Sequence, residues 1–215
     1  MDKKILQLYA VTDRQWLQKG QSLADVVEAA ILGGATLIQL REKTMDDESF
    51  ICEAMEVKKV TDAYGIPLII NDNLKVCLAC DAAGVHVGQD DLRAEKVREL
   101  LGPDKIIGVT AKTVEQAKAA VRQGADYLGS GAMFGSSTKS EARPMTLDEF
   151  KEIRRSVSVP IVLIGGIDAE NIRELKGSGA QGVAVVSGIF AQPDVEAPQE
   201  SLKSFLWRFF RKNSG

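Results

Sequence analysis

Chemistry is concentrated in a few short stretches of this chain. In "QLREK" (39–43), strand alternation places Gln39, Arg41 and Lys43 on one face and Leu40 with the preceding Ile38 on the other. The apolar pair belongs against helices, which turns Gln39 and Arg41 inward and leaves Lys43 at or past the strand end. An arginine facing a protein interior is expensive to desolvate, so either a buried carboxylate pairs with Arg41 or the position awaits an anion. "LIINDN" (68–73) and "GVHVGQDD" (84–91) are apolar runs that end abruptly in Asn71, Asp72 and Asn73, then Gln89, Asp90 and Asp91. Turn and N-cap chemistry explains either ending alone. Side by side they would form a small anionic site, and Asp72 with Asp91 suits Mg²⁺, which takes one or two carboxylates and completes its shell with water and substrate phosphates.

Three further stretches suit anions. "GSGAMFGSSTKSEARP" (129–144) combines glycines, the hydroxyls of Ser136, Ser137 and Thr138, and the charge of Lys139. Its glycines match neither the Walker spacing nor G-x-G-x-x-G, and a plain surface loop is the alternative reading. "LIGGID" (163–168) and "VAVVSG" (183–188) place Gly165, Gly166, Ser187 and Gly188 at two strand ends, where backbone N–H groups can cradle a phosphate. Packing glycines would look the same. Taken together, two phosphorylated ligands and one metal suggest group transfer with a diphosphate leaving.

The elements that must position these residues recur along the whole chain. Apolar runs appear as "LQLYAVT", "TLIQLRE", "PLIIND", "GVHVG", "KIIGVTA", "YLGSG", "PIVLIGG" and "GVAVVSG", mostly too continuous for half-exposed strands. Between them lie segments with helical spacing, such as Leu23, Val26, Val27, Ala30 and Ile31. Thr113 with Gln116 and Thr146 with Glu149 have capping-box spacing. Gly33, Gly102 and Gly124 stand where left-handed helix ends are expected. Eight strand–helix units predict an α/β protein, a single-domain (β/α)8 TIM barrel over 1–215, with a doubly wound sheet second. In the barrel, strand C-terminal ends carry the active site, which is where the polar residues of "IIND" and "HVGQDD" fall.

Composition narrows the function. A net charge of −3 leaves no basic footprint for nucleic acid, and no apolar run is long enough to span a membrane. Three cysteines cannot all pair and no secretory signal precedes "KKILQLYAVTD", so a reducing cytoplasm is expected. Cys77-x-x-Cys80 invites a metal or redox reading, but no second such motif exists, and two core cysteines on one helix is the favoured reading. "SLKSFLWRFFRKN" is basic and amphipathic; a helix closing the barrel is favoured over one lying on a membrane surface.

The segments "LYAVTDR", "QLREK", "NDN", "GVHVGQDDL", "GADYLGSGAMF", the "STK" loop, "IGGI" and "GVAVVSGIF", in this order, resemble the thiamine phosphate synthase family from the first strand to the last helix. The resemblance implies a (β/α)8 barrel that joins hydroxymethylpyrimidine diphosphate to a thiazole phosphate and releases diphosphate. It implies that Gln39, Arg41, Lys43, Asn71, Thr110 and Lys139 contact the pyrimidine diphosphate, with Arg41, Lys43 and Lys139 assisting its departure. Asp72 and Asp91 match the family's Mg²⁺ ligands, Ser136 and Thr138 its thiazole-phosphate loop, and Gly166, Val186 and Ser187 its phosphate cradle. Gly135 stands where many members have proline, Ser136 where they often have threonine, and Lys112 where they often have histidine.

The chemistry so implied is dissociative and needs no protein nucleophile or strong general base, which fits a chain whose one histidine, His86, lies on the fourth strand. The loop carrying Lys139 is expected to order over bound substrate and exclude water. Two rivals remain: a thiazole tautomerase, whose working histidine is replaced here by Lys112 and which lacks the "ND" acid, and a non-catalytic phosphate-binding barrel. The partners expected are two phosphorylated small molecules. The oligomeric state is left open, a homo-oligomer included.

Overall fold

Strands apolar on both faces need cover on both faces, and closing a parallel sheet on itself inside a ring of helices provides it. The computed structural model describes residues 1–135 and 144–190, and within them eight parallel strands close into one barrel in chain order. These are β1 (Leu8–Val11), β2 (Leu37–Leu40), β3 (Leu68–Asn71), β4 (Gly84–Val87), β5 (Ile106–Thr110), β6 (Tyr127–Gly131), β7 (Ile161–Ile164) and β8 (Gly182–Val185). The helices are α1 (Leu23–Leu32), α2 (Asp47–Ala63), α3 (Leu74–Ala79), α4 (Ala94–Leu101), α5 (Val114–Arg122), α6 (Leu147–Ser156) and α7 (Ser187–Phe190). Between β7 and β8 a single 3₁₀ turn, Ile172–Leu175, replaces the expected helix.

Strand alternation builds two cores. Ile38, Leu40, Ile70, Val85, Ile107 and Leu163 point outward and pack with Val27, Phe50, Val97 and Phe150 of the helices. Tyr9, Val11, Leu37, Ile69, Tyr127, Val162 and Ala184 fill the barrel interior. The Leu23–Ile31 stripe is buried as expected, with Val26 at its partly buried edge. Cys77 and Cys80 are free thiols buried in this core, and burial pushes the Cys77 thiol up to about 12.

Helix ends bear out most of the local signals and correct two. Thr146 and Glu149 form the full capping box of α6, and Ser22 with Asp25 forms one on α1. Thr113 caps α5 through Gln116 N, but the Gln116 side chain accepts from Lys112 N at 2.7 Å, so only half of that box exists. Gly102 (φ 75°) and Gly124 (φ 94°) are left-handed, whereas Gly33 keeps a right-handed φ of −69° and Gly34 (φ 110°) makes the turn. At the end of the barrel away from the strand C-termini, Arg98 spans two loops, donating to Gly102 O, Lys105 O, Gly124 O and Asp126 Oδ2 at 2.7–3.0 Å. That is the face on which barrel residues serve stability. The expected closing helix near the C-terminus, and with it the extent of the domain over 191–215, lies outside the described residues.

Candidate active site at the barrel mouth

β2 delivers its polar residues by parity. Gln39 is buried inside the barrel and its Nε2 donates to Tyr9 Oη at 2.6 Å. Arg41 is the first residue past the strand, and its backbone N–H donates to Oγ1 of the buried Thr12 at 3.0 Å. Glu42 turns the other way and meets Arg14 Nε at 3.1 Å; Arg14 also binds Glu53. Burial pushes the Glu42 carboxyl up while Arg14 pulls it down, so the pair anchors an otherwise costly side chain. With Glu42 held outward, Arg41 is left to the mouth. Among the described residues no carboxylate pairs with its guanidinium.

The two acidic strand ends differ in construction. Asp72 follows β3 with a left-handed φ of 60°, a conformation Asp tolerates better than most residues, and its N–H donates to His86 O at 2.9 Å. Its Oδ2 accepts from Lys43 Nζ at 2.6 Å and from Asn71 Nδ2 at 2.5 Å. Asp91 Oδ2 closes a turn by accepting from Gly88 N at 2.7 Å, and the Gln89 amide ties the same loop to Thr110 O. Asn73 serves ordinary cap chemistry, accepting from Val76 N at the start of α3. Turn and cap chemistry thus accounts for Asn73 and for one oxygen of Asp91.

The donor set fits a hard divalent cation. Each carboxylate uses Oδ2 for an internal contact, and among the described residues neither Oδ1 has a partner. No group of three or more His, Cys, Asp or Glu that could hold a metal occurs among the described residues. Two carboxylates whose remaining shell would come from water and phosphate oxygens suit Mg²⁺ better than zinc.

A cavity of about 200 Å³ opens at the mouth, lined by Gln39, Arg41, Asn71, His86, Thr110 and Lys112 on one side. Gly131, Gly165, Gly166, Ile167, Val186 and Ser187 line the other. Seven residues expected at the site thus meet in one cavity: Gln39, Arg41, Asn71, Thr110, Gly166, Val186 and Ser187. Lys43, Asp72 and Asp91 lie outside its lining, the first two joined to each other. Ser136, Thr138 and Lys139 lie outside the described residues. Gly165 (φ 101°) and Gly166 (φ 64°) are also required by packing, since a Cβ would meet Ala132 Cβ at 2.4 Å and Gly135 O at 2.8 Å respectively. Sequence reasoning passed over Tyr9 and Tyr127, whose hydroxyls meet inside the barrel at 2.8 Å. Their signal is parity: Tyr9 alternates with Val11, and Tyr127 with the small Gly129 and Gly131, so each ring points inward where there is room.

Fold and site together define the class, a (β/α)8 barrel with a small-molecule cavity at the C-terminal ends of its strands. The family described as Thiamine monophosphate synthase matches residues 8–189, and the chain belongs to that family. It is 50% identical over 195 residues to a thiamine-phosphate synthase of Ruminiclostridium cellulolyticum, covering 91% of this chain and 92% of that protein. It is 48% identical over 199 residues to the thiamine-phosphate synthase of Clostridium tetani, covering 93% and 95%. Among solved structures, thiamine phosphate pyrophosphorylase from Pyrococcus furiosus superposes with a TM-score of 0.87 at 33% identity, over 97% of this chain and 99% of that one.

Proposed function

We propose that this chain condenses 4-amino-2-methyl-5-hydroxymethylpyrimidine diphosphate with 4-methyl-5-hydroxyethylthiazole phosphate, or with its carboxylated form with loss of CO2, giving thiamine phosphate and diphosphate. The observation that carries the reading is Arg41, with no carboxylate partner among the described residues, facing the Gly165–Gly166 turn and Ser187 across one cavity. A cation on one wall and open backbone on the other suit two phosphorylated ligands meeting in the middle.

The reaction begins with heterolysis of the bond between the pyrimidine methylene carbon and the diphosphate oxygen, whose electron pair leaves with the diphosphate. The electron-rich aminopyrimidine stabilises the methylene cation, and the thiazole nitrogen then forms the new C–N bond. Arg41 and Lys43 bind the departing charge and stabilise it most when it is fully developed. Lys43 must then shift from Asp72 toward the diphosphate as substrate enters. Gln39, Asn71 and Thr110 orient the pyrimidine diphosphate, while Gly166, Val186 and Ser187 cradle the thiazole phosphate. By family resemblance, Lys139 joins the diphosphate contacts, and Ser136 and Thr138 those of the thiazole phosphate. Mg²⁺ held by Asp72 and Asp91 would supply charge neutralisation at the diphosphate. The three free thiols, Cys52, Cys77 and Cys80, support a reducing, cytoplasmic setting, and no helix among the described residues is long and apolar enough to cross a membrane.

The test is turnover with both substrates and Mg²⁺, a chelator control, and each substrate alone. Thiamine phosphate should form only in the complete, metal-containing mixture. Conversion of one thiazole phosphate tautomer to another without the pyrimidine would favour the tautomerase instead, and no chemistry at all would favour a binding barrel.

A further inference from the structure

Five polar side chains inside the barrel form one unbroken line that the proposed reaction does not use as such. Gln39 Nε2 donates to Tyr9 Oη at 2.6 Å, and Tyr9 Oη lies 2.8 Å from Tyr127 Oη. Tyr127 Oη lies 3.0 Å from His86 Nδ1, and His86 Nε2 lies 3.0 Å from Thr110 Oγ1. The line runs from β2 through β1, β6 and β4 to β5, so both ends, Gln39 and Thr110, line the cavity while Tyr127 in its middle does not. Space for it is cut from the backbone. A Cβ on Gly108 would sit 2.1 Å from Tyr127 Cζ and 2.5 Å from His86 Nδ1, and one on Gly129 would sit 3.2 Å from His86 Cε1. Neither glycine has a positive φ, so room for these two rings is what their size serves.

Counting protons gives the line a direction. Burial pushes both phenols above their ordinary range, so each keeps its one proton. Tyr9 accepts a hydrogen bond from the Gln39 amide and therefore directs its own proton to Tyr127. Tyr127, its oxygen thus engaged, directs its own to His86 Nδ1. That nitrogen must then carry a lone pair, with the ring proton on Nε2 donated to Thr110 Oγ1. The Thr110 hydroxyl is left to aim its proton away from His86, and the Gln39 amide leaves its Oε1 to the cavity.

We propose that the Tyr9–Tyr127–His86 line is a polarity-setting device: it holds His86 in the Nε2–H tautomer and presents an acceptor at Gln39 and a donor at Thr110 to the bound ligand. Such a pair takes a ring bearing an amino donor on the β2 side and an anionic oxygen on the β5 side. The ligand assignment rests on the proposed function; the direction of the line does not. Tyr127 and His86 act here as positioning residues, through Gln39 and Thr110. The barrel interior suits such a line, because hydroxyl and imidazole groups in dry surroundings polarise one another and are costly to leave unpaired.

The chain has one histidine, so ¹⁵N-histidine labelling of the full-length, substrate-free protein yields a single imidazole whose two nitrogen shifts read the tautomer directly. Nδ1 should resonate in the unprotonated range and Nε2 in the protonated range. An ionised carboxylate can only accept, so Gln39→Glu should reverse every bond and move the ring proton to Nδ1. Tyr127→Phe keeps the ring and its packing but breaks the line, so the two shifts should move toward each other as both tautomers populate. A proton on Nδ1 in the wild type, or shifts unchanged by both substitutions, would overturn the proposal. In turnover, Tyr127→Phe should lower kcat/KM for the pyrimidine diphosphate roughly threefold to tenfold, the loss of one oriented hydrogen bond. KM for the thiazole phosphate should hold; equal losses for both substrates would point to packing alone. The spectroscopic arm needs no substrate, so its outcome does not depend on which reaction the protein catalyses.

Discussion

Replacing Asp72 by Asn separates the charge of this carboxylate from its shape. Asn tolerates the left-handed φ of 60° at this position, and the backbone bond from residue 72 to His86 O is untouched. The Lys43–Asp72 pair has side chains 52% and 24% exposed, so its loss costs at most about 1 kcal/mol after solvent screening. For a chain of this size that is a fall of about 2–4 °C in Tm. The effect on metal binding is larger. Even one unit charge about 4 Å from another, a weaker attraction than a carboxylate in contact with a divalent ion, is worth about 4 kcal/mol at an effective dielectric near 20, which approaches a thousandfold in a binding constant. Lys43, released from its partner, can meet the diphosphate and return part of that loss. We therefore expect half-saturating Mg²⁺ to rise on the order of a hundredfold. Diphosphate release measured across a Mg²⁺ titration, with thermal melts alongside, provides the assay. Asp91→Asn should behave alike, since its amide oxygen still accepts from Gly88 N, whereas Asp90→Asn should leave the titration where it was. If Asp72→Asn and Asp91→Asn both kept the wild-type Mg²⁺ requirement, the metal assignment would be wrong.

Arg41→Ala should raise KM for the pyrimidine diphosphate far more than for the thiazole phosphate. Gly166→Ala should do the reverse, because its Cβ, at a φ of 64°, would press on Gly135 O at 2.8 Å and displace the cradle; matching effects on both substrates would refute two separate sites. Thiol labelling of the native protein should modify the exposed Cys52 quickly and spare Cys77 and Cys80, until denaturant releases all three. Thr146→Ala should lose about 1 kcal/mol of stability, more than Thr113→Ala, in a denaturant titration, because only the former breaks a reciprocal box.

Much of the barrel is written in patterns shorter than one strand or one turn. The run "TLIQL" already separates Ile38 and Leu40 for the helices from Gln39 for the interior, because side-chain direction follows from the pleat alone. The glycine turns after β7 and the acids after β3 and β4 could likewise be located at strand ends, and hence at the mouth, once eight parallel runs were counted. Family motifs supplied the roles. Signals of equal strength nevertheless diverged where a neighbour intervened: Thr113–Gln116 and Thr146–Glu149 share one spacing, yet Gln116 turns to Lys112 N and leaves its box half made. Gly33 and Gly34 are equally able to turn the chain, but Gly33 still bonds back to Ala29 O as the helix cap, so the left-handed turn falls on the second. Whether Arg41 meets a carboxylate, and which cation Asp72 meets, depended on where Glu42 and Lys43 point relative to elements distant in sequence. Tyr9 and Tyr127, 118 residues apart, meet only because β1 and β6 face each other across a closed barrel. Closure and register arise from the sum of all strand pairings, and no single stretch of sequence contains that sum.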